Sequence, residues 1–307
     1  MKSEDSIFIA GHRGLVGSAI LRRLRADGFN RLLTRTRAEL DLTNREAVED
    51  FFAREKPAIV IVAAAKVGGI KANAEQPVEF LLENLQIQNN LIRAAHESGA
   101  RKLLFLGSSC IYPKHASQPI RESALLGGPL EPTNEAYAIA KIAGIVLCQS
   151  YAREYGANFI SAMPTNLYGP NDNFDLQTSH VLAALLRKAH EAKMSGEPEL
   201  VAWGSGTPRR EFLHVDDLAS ACVFLLENYD SPEIINIGSG TDLTIRELAE
   251  LICEVVGFDG GLKFDATKPD GTPRKLLDIS KIESIGWKPT IPLREGVART
   301  YEWFKQQ

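Results

Sequence analysis

Seven residues near the start, Gly11-His12-Arg13-Gly14-Leu15-Val16-Gly17, restrict this chain more than any other stretch. A short apolar run, Ile7 to Ala10, precedes them. They open a segment, Leu15 to Leu24, in which apolar residues recur at helical spacing, with charges at Arg22, Arg23 and Arg25. Glycines spaced in this way let the backbone turn tightly and approach a pyrophosphate. The helix start that follows offers unpaired N–H groups and a partial positive charge. A glycine-rich turn alone says little. With a strand before it, a helix after it and a place at the head of the chain, it indicates a dinucleotide site. Its contacts would come from Gly11, Gly14 and Gly17 and from the first helical residues, Leu15 and Val16.

The pattern continues beyond the loop. Leu32 and Leu33 suggest a second strand. Arg45 to Glu55 is helical, with Asp41 or Thr43 as its cap, and Pro57 ends it ahead of a buried strand at Ala58 to Ala65. A long helix over Phe80 to Ser98, a strand over Lys102 to Leu106, a second long helix over Asn134 to Tyr155 and a strand over Phe159 to Met163 follow. Short apolar runs alternating with helical patterns predict an α/β fold, a Rossmann-type doubly wound parallel sheet. After Pro164 turn signals cluster around Tyr168-Gly169-Pro170 and Gly204-Ser205-Gly206, with helical pieces such as Val181 to Ala192 between them. This change predicts a smaller α/β substrate-binding lobe. The expected division is a dinucleotide-binding domain at 1–166, with a returning segment at about 212–241, and a second lobe at 167–211 and 242–307.

At 307 residues and 44% hydrophobic composition the chain can bury a large core. A net charge of −4 gives no reason to expect a nucleic-acid or membrane partner, so an anionic ligand must meet a local basic cluster. The four cysteines, Cys110, Cys148, Cys222 and Cys253, are too scattered for a disulfide framework or a zinc site, and no metal is expected. The polar, acidic Met1 to Ser6 does not read as a signal peptide, and a cytoplasmic protein is expected.

An NAD site usually has a carboxylate after the second strand, for the ribose 2′-hydroxyl. Here that region reads Thr34-Arg35-Thr36-Arg37, with no acid before Glu39, and Arg13 lies within the glycine loop. Guanidinium groups suit a 2′-phosphate, so NADP(H) is the expected cofactor, held in part by Arg13, Arg35 and Arg37. Asp41 and Leu42 are placed near the adenine.

Tyr137 and Lys141 are four apart on one helical face. A lysine ammonium beside a phenol is expected to lower its pKa and make it a proton donor to a carbonyl receiving hydride. The same spacing at Tyr301 and Lys305 reads as an ordinary surface helix. Context separates the pairs: Tyr137 follows Ser108-Ser109, a loop at the end of the fourth strand, where ligands of such sheets bind, and Ser108 can give a second hydrogen bond to the carbonyl oxygen.

The glycine loop with Ser108, Tyr137 and Lys141 resembles the short-chain dehydrogenase/reductase superfamily. Asn166 to Pro170, Phe212 to Asp217 and Asn236 to Gly240 resemble its extended, sugar-nucleotide branch. Longer strings are similar to the GDP-L-fucose synthase family: Gly11 to Gly14, Ala63 to Ile70, Gly107 to Pro113, Met163 to Pro170 and Lys268 to Lys275. The similarity runs from about residue 7 to 305.

The resemblance implies a bifunctional enzyme acting on GDP-4-keto-6-deoxy-D-mannose. It inverts C3 and C5 and then reduces the C4 ketone with NADPH, giving GDP-L-fucose. It implies Ser108, Cys110, Tyr137, Lys141 and His180 as catalytic residues. Cys110 and His180 match the family's inversion pair, with Cys110 read as base and His180 as acid. Ala63, Ala64, Pro164, Asn166, Leu167 and His180 join Tyr137 and Lys141 along the cofactor. Ser108, Ser109, Asn166, Lys188, Trp203, Arg210, Asp270 and Lys275 are the expected substrate contacts. The chain departs from the family at Lys188, where an arginine pair is common: here the pair is Arg187-Lys188, and lysine lacks the planar fork for bidentate binding. The family also implies a homodimer through a four-helix bundle. Asp216 and Asp217 read as structural, near a helix cap. Two rival readings remain at this level. One is a nucleotide-sugar epimerase or dehydratase that recycles NAD, although a 4,6-dehydratase has an acid where this chain has Ser109 and Cys110. The other is a non-enzymatic dinucleotide sensor, which a complete catalytic set disfavours.

Overall fold

In the computed structural model, which describes residues 1–268 and 270–307 and Ile70 by its backbone alone, the first half of the chain alternates as its apolar runs require. Its elements are β1 (Ile7–Ala10), α1 (Leu15–Ala26), β2 (Leu32–Leu33), α2 (Arg45–Glu55), β3 (Ile59–Val62), α3 (Ile70–Glu75), α4 (Pro77–Glu97), β4 (Lys102–Leu106), α5 (Glu135–Tyr155) and β5 (Phe159–Pro164). The second half carries β6 (Asn166–Tyr168), α6 (Val181–Ser195), β7 (Glu199–Trp203), β8 (Arg209–His214), α7 (Val215–Asn228), β9 (Ile235–Ile237), β10 (Asp242–Thr244), α8 (Ile245–Val256), β11 (Gly261–Asp265), β12 (Arg274–Lys275), α9 (Ser280–Ser284) and α10 (Leu293–Phe304). Pro269, within the string Lys268 to Lys275, lies outside the described residues.

Strands β1, β3, β4 and β5 are buried along their whole length. Runs without alternation belong to a sheet covered on both faces. They form a six-stranded parallel sheet in the order β2-β1-β3-β4-β5-β9, with α1 against α7 and α4 against α5. The fold is therefore of the α/β Rossmann type. Its strand order reverses between β1 and β3, and ligands of such sheets bind beyond the strand ends at that point. The last strand, β9, comes from the segment after β8, so the chain returns to the sheet late. Residues such as Phe8, Ile61, Phe105 and Ile160 make the core around this sheet, and Leu186, Phe212, Leu248, Ile252 and Val297 centre a second cluster.

A second sheet runs in the order β10-β8-β12, with β6 paired to β8, and β7 and β11 form a separate parallel pair. Glu211 on β8 has no exposed surface; it accepts the N–H of Gly240 at 2.8 Å and of Leu277 at 3.1 Å. Burial raises its pKa, and these donors act in the opposite direction. The carboxyl group thus fastens the turn after β9 and the chain leaving β12 to one strand.

Local details differ from the sequence reading at several points; the strand read over Ala58 to Ala65, for example, is confined to Ile59–Val62. The cap of α2 is Asn44, which accepts from Ala47 N, while the carboxylate of Asp41 is taken by Thr43 N at 3.0 Å and its hydroxyl at 2.8 Å. The cap of α7 is His214, which accepts from Asp216 N; Asp217 instead accepts from Thr290 and Ile291, and Asp216 pairs with Arg22. Helix α4 begins at Pro77, ahead of Phe80, because a proline in the first turn gives up an N–H that has no helical partner there.

Candidate active site

At the sheet's switch point Gly11 adopts φ +85°, and a Cβ on it would lie 2.7 Å from Ala64 N. A Cβ on Gly17 would lie 2.1 Å from Gly11 O. Gly14 caps α1 without a side-chain hydrogen bond. The loop therefore leaves bare backbone and an uncapped helix start facing the strand ends, which fits a pyrophosphate. Ala63 donates its N–H to Ala10 O and, with Ala64, closes over this turn. Gly17→Ala is expected to reduce NADPH affinity by ~100-fold or more and to destabilise the fold, because two backbone segments would have to separate. Cofactor titration by fluorescence together with urea unfolding measures both.

The arginines beyond β2 divide. Arg35 bonds Thr34 O at 2.8 Å and Glu55 at 2.9 Å and lies over the Phe51 ring, so it is committed to the fold. Arg37 is exposed and pairs with Glu83 at 3.2 Å, and Arg13 is exposed. Leu42 packs against the core.

Beyond β4 the chain makes a tight turn. Ser108 caps it, and its Oγ accepts from Cys110 N at 3.2 Å. Ser109 is buried, whereas Ser108 and Cys110 keep partial access. The Ser108 hydroxyl lies within interaction range of both the Cys110 thiol and the Tyr137 phenol. Phe80 meets the Tyr137 ring edge-on, with centroids 6.5 Å apart. Lys141 is buried; its Nζ donates to Leu106 O at 2.8 Å and lies 5.9 Å from the Tyr137 ring centroid. Burial pushes its pKa down to about 8. The phenol does not behave as its spacing from Lys141 predicts. Burial first, and the Cys110 charge second, push its pKa up against the Ser108 hydrogen bond. Lysine's ammonium is spent on a backbone carbonyl, so the phenol stays protonated.

Cys110 behaves oppositely. Burial alone would raise its pKa, but the Lys275 ammonium, hydrogen bonds from Ser108 and Lys275, and the more distant Arg210 together bring it below its ordinary value of 9.0. His180 is the cap residue of α6 but makes no cap hydrogen bond, which leaves its imidazole free in a cleft that water still reaches. The crowding of protein around it, followed by the charge of Lys275, depresses its pKa below 6.5.

The remaining substrate-contact candidates are tied to neighbouring groups. Lys188 donates to Val201 O at 3.1 Å and stands 5.2 Å from the ring centroid of the half-exposed Trp203. Asp270 accepts the N–H and hydroxyl of Ser205, and Arg210 reaches the Asp270 carbonyl at 3.4 Å. Asn166 on β6 donates to Glu211 O at 2.8 Å, with Leu167 beside it and Pro164 closing β5. Lys275 is apart from the Lys188–Trp203 end: its Nζ is 3.3 Å from the Cys110 sulfur. Two neighbours of the site have no spacing signal in the sequence. Phe80 is one. The other is Gly69, which donates to Thr178 O just before His180 and whose Cβ would meet Ser179 O at 2.9 Å. Only membership of the string Ala63 to Ile70 hinted at the second.

Parallel sheets with an open phosphate cradle at the switch point and a tyrosine–lysine helix beyond β4 form a class of dinucleotide-dependent oxidoreductases and epimerases. The family model described as the NAD dependent epimerase/dehydratase family matches residues 7–238. GDP-L-fucose synthase 1 of Arabidopsis thaliana is 64% identical over 298 residues, covering 97% of this chain and 92% of its own. Among solved structures, a GDP-6-OMe-4-keto-L-xylo-heptose reductase from C. jejuni superposes with a TM-score of 0.96 at 40% identity, over 100% of this chain and 99% of that one. A GDP-L-fucose synthetase from Naegleria fowleri, bound to NADP, gives 0.92 at 30% identity over 100% and 95%. The chain belongs to the NAD dependent epimerase/dehydratase family and, within it, to the GDP-L-fucose synthases.

Proposed function

We propose that this protein converts GDP-4-keto-6-deoxy-D-mannose into GDP-L-fucose by inverting C3 and C5 and then reducing C4, with NADPH as cofactor. The observation that carries this reading is the placement of Ser108, Cys110 and Tyr137 around one turn at the end of β4, in a chain 64% identical to a protein of that name.

C3 and C5 flank the C4 carbonyl, so their protons are acidified by it. Removing either proton puts negative charge on the C4 oxygen. Hydroxyl donors at that oxygen, Ser108 and Tyr137, stabilise the charge during inversion and again during reduction. Tyr137, kept protonated by its surroundings, gives its proton to the C4 oxygen in the second step. Gly11, Gly14, Gly17, Ala63 and Ala64 would hold NADPH, with Arg13 and Arg37 available to its 2′-phosphate, and the cofactor when bound would supply hydride to C4. Lys141 holds the carbonyl end of β4 and keeps Tyr137 in place.

Inversion needs a base on one face of the sugar and an acid on the other. Cys110, with its thiol shifted towards the thiolate, takes the proton. Burial first and the Lys275 charge second hold the His180 pKa below its ordinary value, favouring the neutral ring in the free protein, and an anionic diphosphate arriving near Lys275 offsets the second of these. It then carries the proton that is returned. Lys188, Trp203, Arg210 and Asp270 hold the nucleotide end, Trp203 with a half-exposed ring and Lys188 with a cation beside it.

The reading also takes the protein to be a cytoplasmic homodimer. Among the described residues no helix is long and apolar enough to cross a membrane. The packed pair α4 and α5 exposes Val78, Leu82, Ile139 and Val146, an apolar face suited to a second copy's helices. Leu82→Glu is expected to give a single-protomer mass in light scattering while leaving the thermal midpoint within a few degrees. The catalytic reading is tested by mixing purified protein with GDP-4-keto-6-deoxy-D-mannose and NADPH and following nicotinamide absorbance and the sugar product. Oxidation with formation of GDP-L-fucose is expected; no oxidation with that substrate eliminates it.

A further inference from the structure

Lys275, one of the expected substrate contacts, has its ammonium 3.3 Å from the sulfur of Cys110. Its position is fixed from both sides. Strand β12 is only two residues long and pairs in parallel with β8, Lys275 opposite Arg210. On one side, Arg274 is ion-paired to Asp242, a carboxylate also bound by Arg209. On the other, Leu276 N donates to Gln118 Oε1 at 2.9 Å, Ile120 N donates to Leu276 O at 2.8 Å, and Leu277 N donates to the buried Glu211 carboxyl. Residues 118–120 lie on the stretch that follows the Cys110 turn. One ammonium is therefore presented to the Cys110 thiol on a strand held by an ion pair, backbone hydrogen bonds and a buried carboxyl group.

We propose that Lys275 is the positioning residue that activates Cys110: its ammonium stabilises the thiolate that removes the proton from the sugar, so the base reaches its full strength when β12 is docked beside the Cys110 turn. This rests on the reading of Cys110 as the inversion base. The proton balance is simple. The thiol proton is released to solvent before substrate binds, the thiolate accepts the carbon-bound proton, and the resulting electron pair moves to the C4 oxygen. No oxidant or reductant is involved. Charged and titratable groups facing the thiol come from every side: Lys275 from β12, Arg210 from β8 and the Tyr137 phenol from α5. Lys275 also acts on His180. One ammonium thus acts on both inversion partners in opposite senses, favouring the anion at Cys110 and adding to burial in favouring the neutral ring at His180.

The test uses the intact protein without substrate. The rate at which iodoacetamide alkylates the Cys110 peptide is followed by mass spectrometry across pH. For the parent the midpoint lies below that of an ordinary thiol. For Lys275→Met it is expected to rise by about one unit or more, with a roughly tenfold fall in rate at neutral pH, and Lys275→Arg should recover most of the loss. Circular dichroism verifies that both variants fold. A second readout separates activation from diphosphate binding. In deuterated water with the keto-sugar, Lys275→Met should lower the rate of deuterium entry at C3 and C5 at saturating substrate and move its rising limb to higher pH, with the larger effect on kcat rather than KM. An unchanged alkylation midpoint in a folded Lys275→Met protein overturns the proposal, as does a defect confined to KM. Because alkylation needs no sugar, its outcome is independent of whether GDP-4-keto-6-deoxy-D-mannose is the substrate.

Discussion

Tyr137→Phe will lower the rate of NADPH oxidation with the keto-sugar by about 10²- to 10⁴-fold, equivalent to about 3–5 kcal/mol of barrier. Burial first and the Cys110 charge second hold the phenol's pKa above its ordinary value, so it carries its proton at neutral pH. Removing the hydroxyl takes away the proton that the C4 oxygen must receive and half of the donor pair that stabilises its charge. The ring's edge-on contact with Phe80 survives, so the fold should hold. Stopped-flow absorbance at saturating NADPH measures the step. A variant that reduces the ketone at the parental rate would show that another donor reaches the oxygen. Deuterium exchange at C3 and C5 should slow by a smaller factor, because Ser108 remains to stabilise the enolate.

Cys110→Ser and His180→Gln form the second large effect. A serine hydroxyl is far less acidic than a thiol that Lys275 and Ser108 hold below its ordinary value, so the base is lost although the shape is nearly kept. Glutamine fills the place of the imidazole but cannot carry a proton to or from carbon. Each variant is expected to cut solvent deuterium incorporation at C3 and C5 by ~100-fold or more. NADPH that is still consumed should yield a reduced sugar keeping its original configuration at the affected centre. The two defects should be far from additive, since a proton must leave one face and return on the other within one inversion. Formation of GDP-L-fucose at the parental rate by both variants would rule out this pair. The pH profile adds a sign. The free thiol's depressed pKa places the rising limb of inversion below the range of an ordinary thiol, and that limb should be absent in Cys110→Ser.

The alternating apolar runs and the glycine loop were sufficient for the sheet, because a strand buried on both faces must be apolar throughout and a phosphate cradle must lack side chains. Helix α2 and strands β1, β2 and β4 begin and end where the pattern places them. Caps were less legible. Asp41, Thr43 and Asn44 are all competent acceptors, and Asn44 closes the helix because Asp41 is already taken by the backbone N–H and hydroxyl of Thr43. Lys141 had the right spacing from Tyr137, but spacing does not say whether its ammonium faces a phenol or the Leu106 carbonyl. Arg35 was read as a phosphate ligand from its place after β2, yet Glu55, twenty residues on, takes its guanidinium.

What the sequence determined by itself is the class of sheet, the bare backbone at its switch point and the set of residues able to move a proton, because these depend on periodicity and chemistry within short windows. What only the tertiary structure decided is which of those groups are charged. Cys110 and Lys275 are separated by 165 positions, and nothing local links them. Their pairing arises because β12 is held against β8 and the segment after the Cys110 turn. A thiol's ionisation follows the field at its sulfur, and that field comes from whatever the fold brings within a few ångströms.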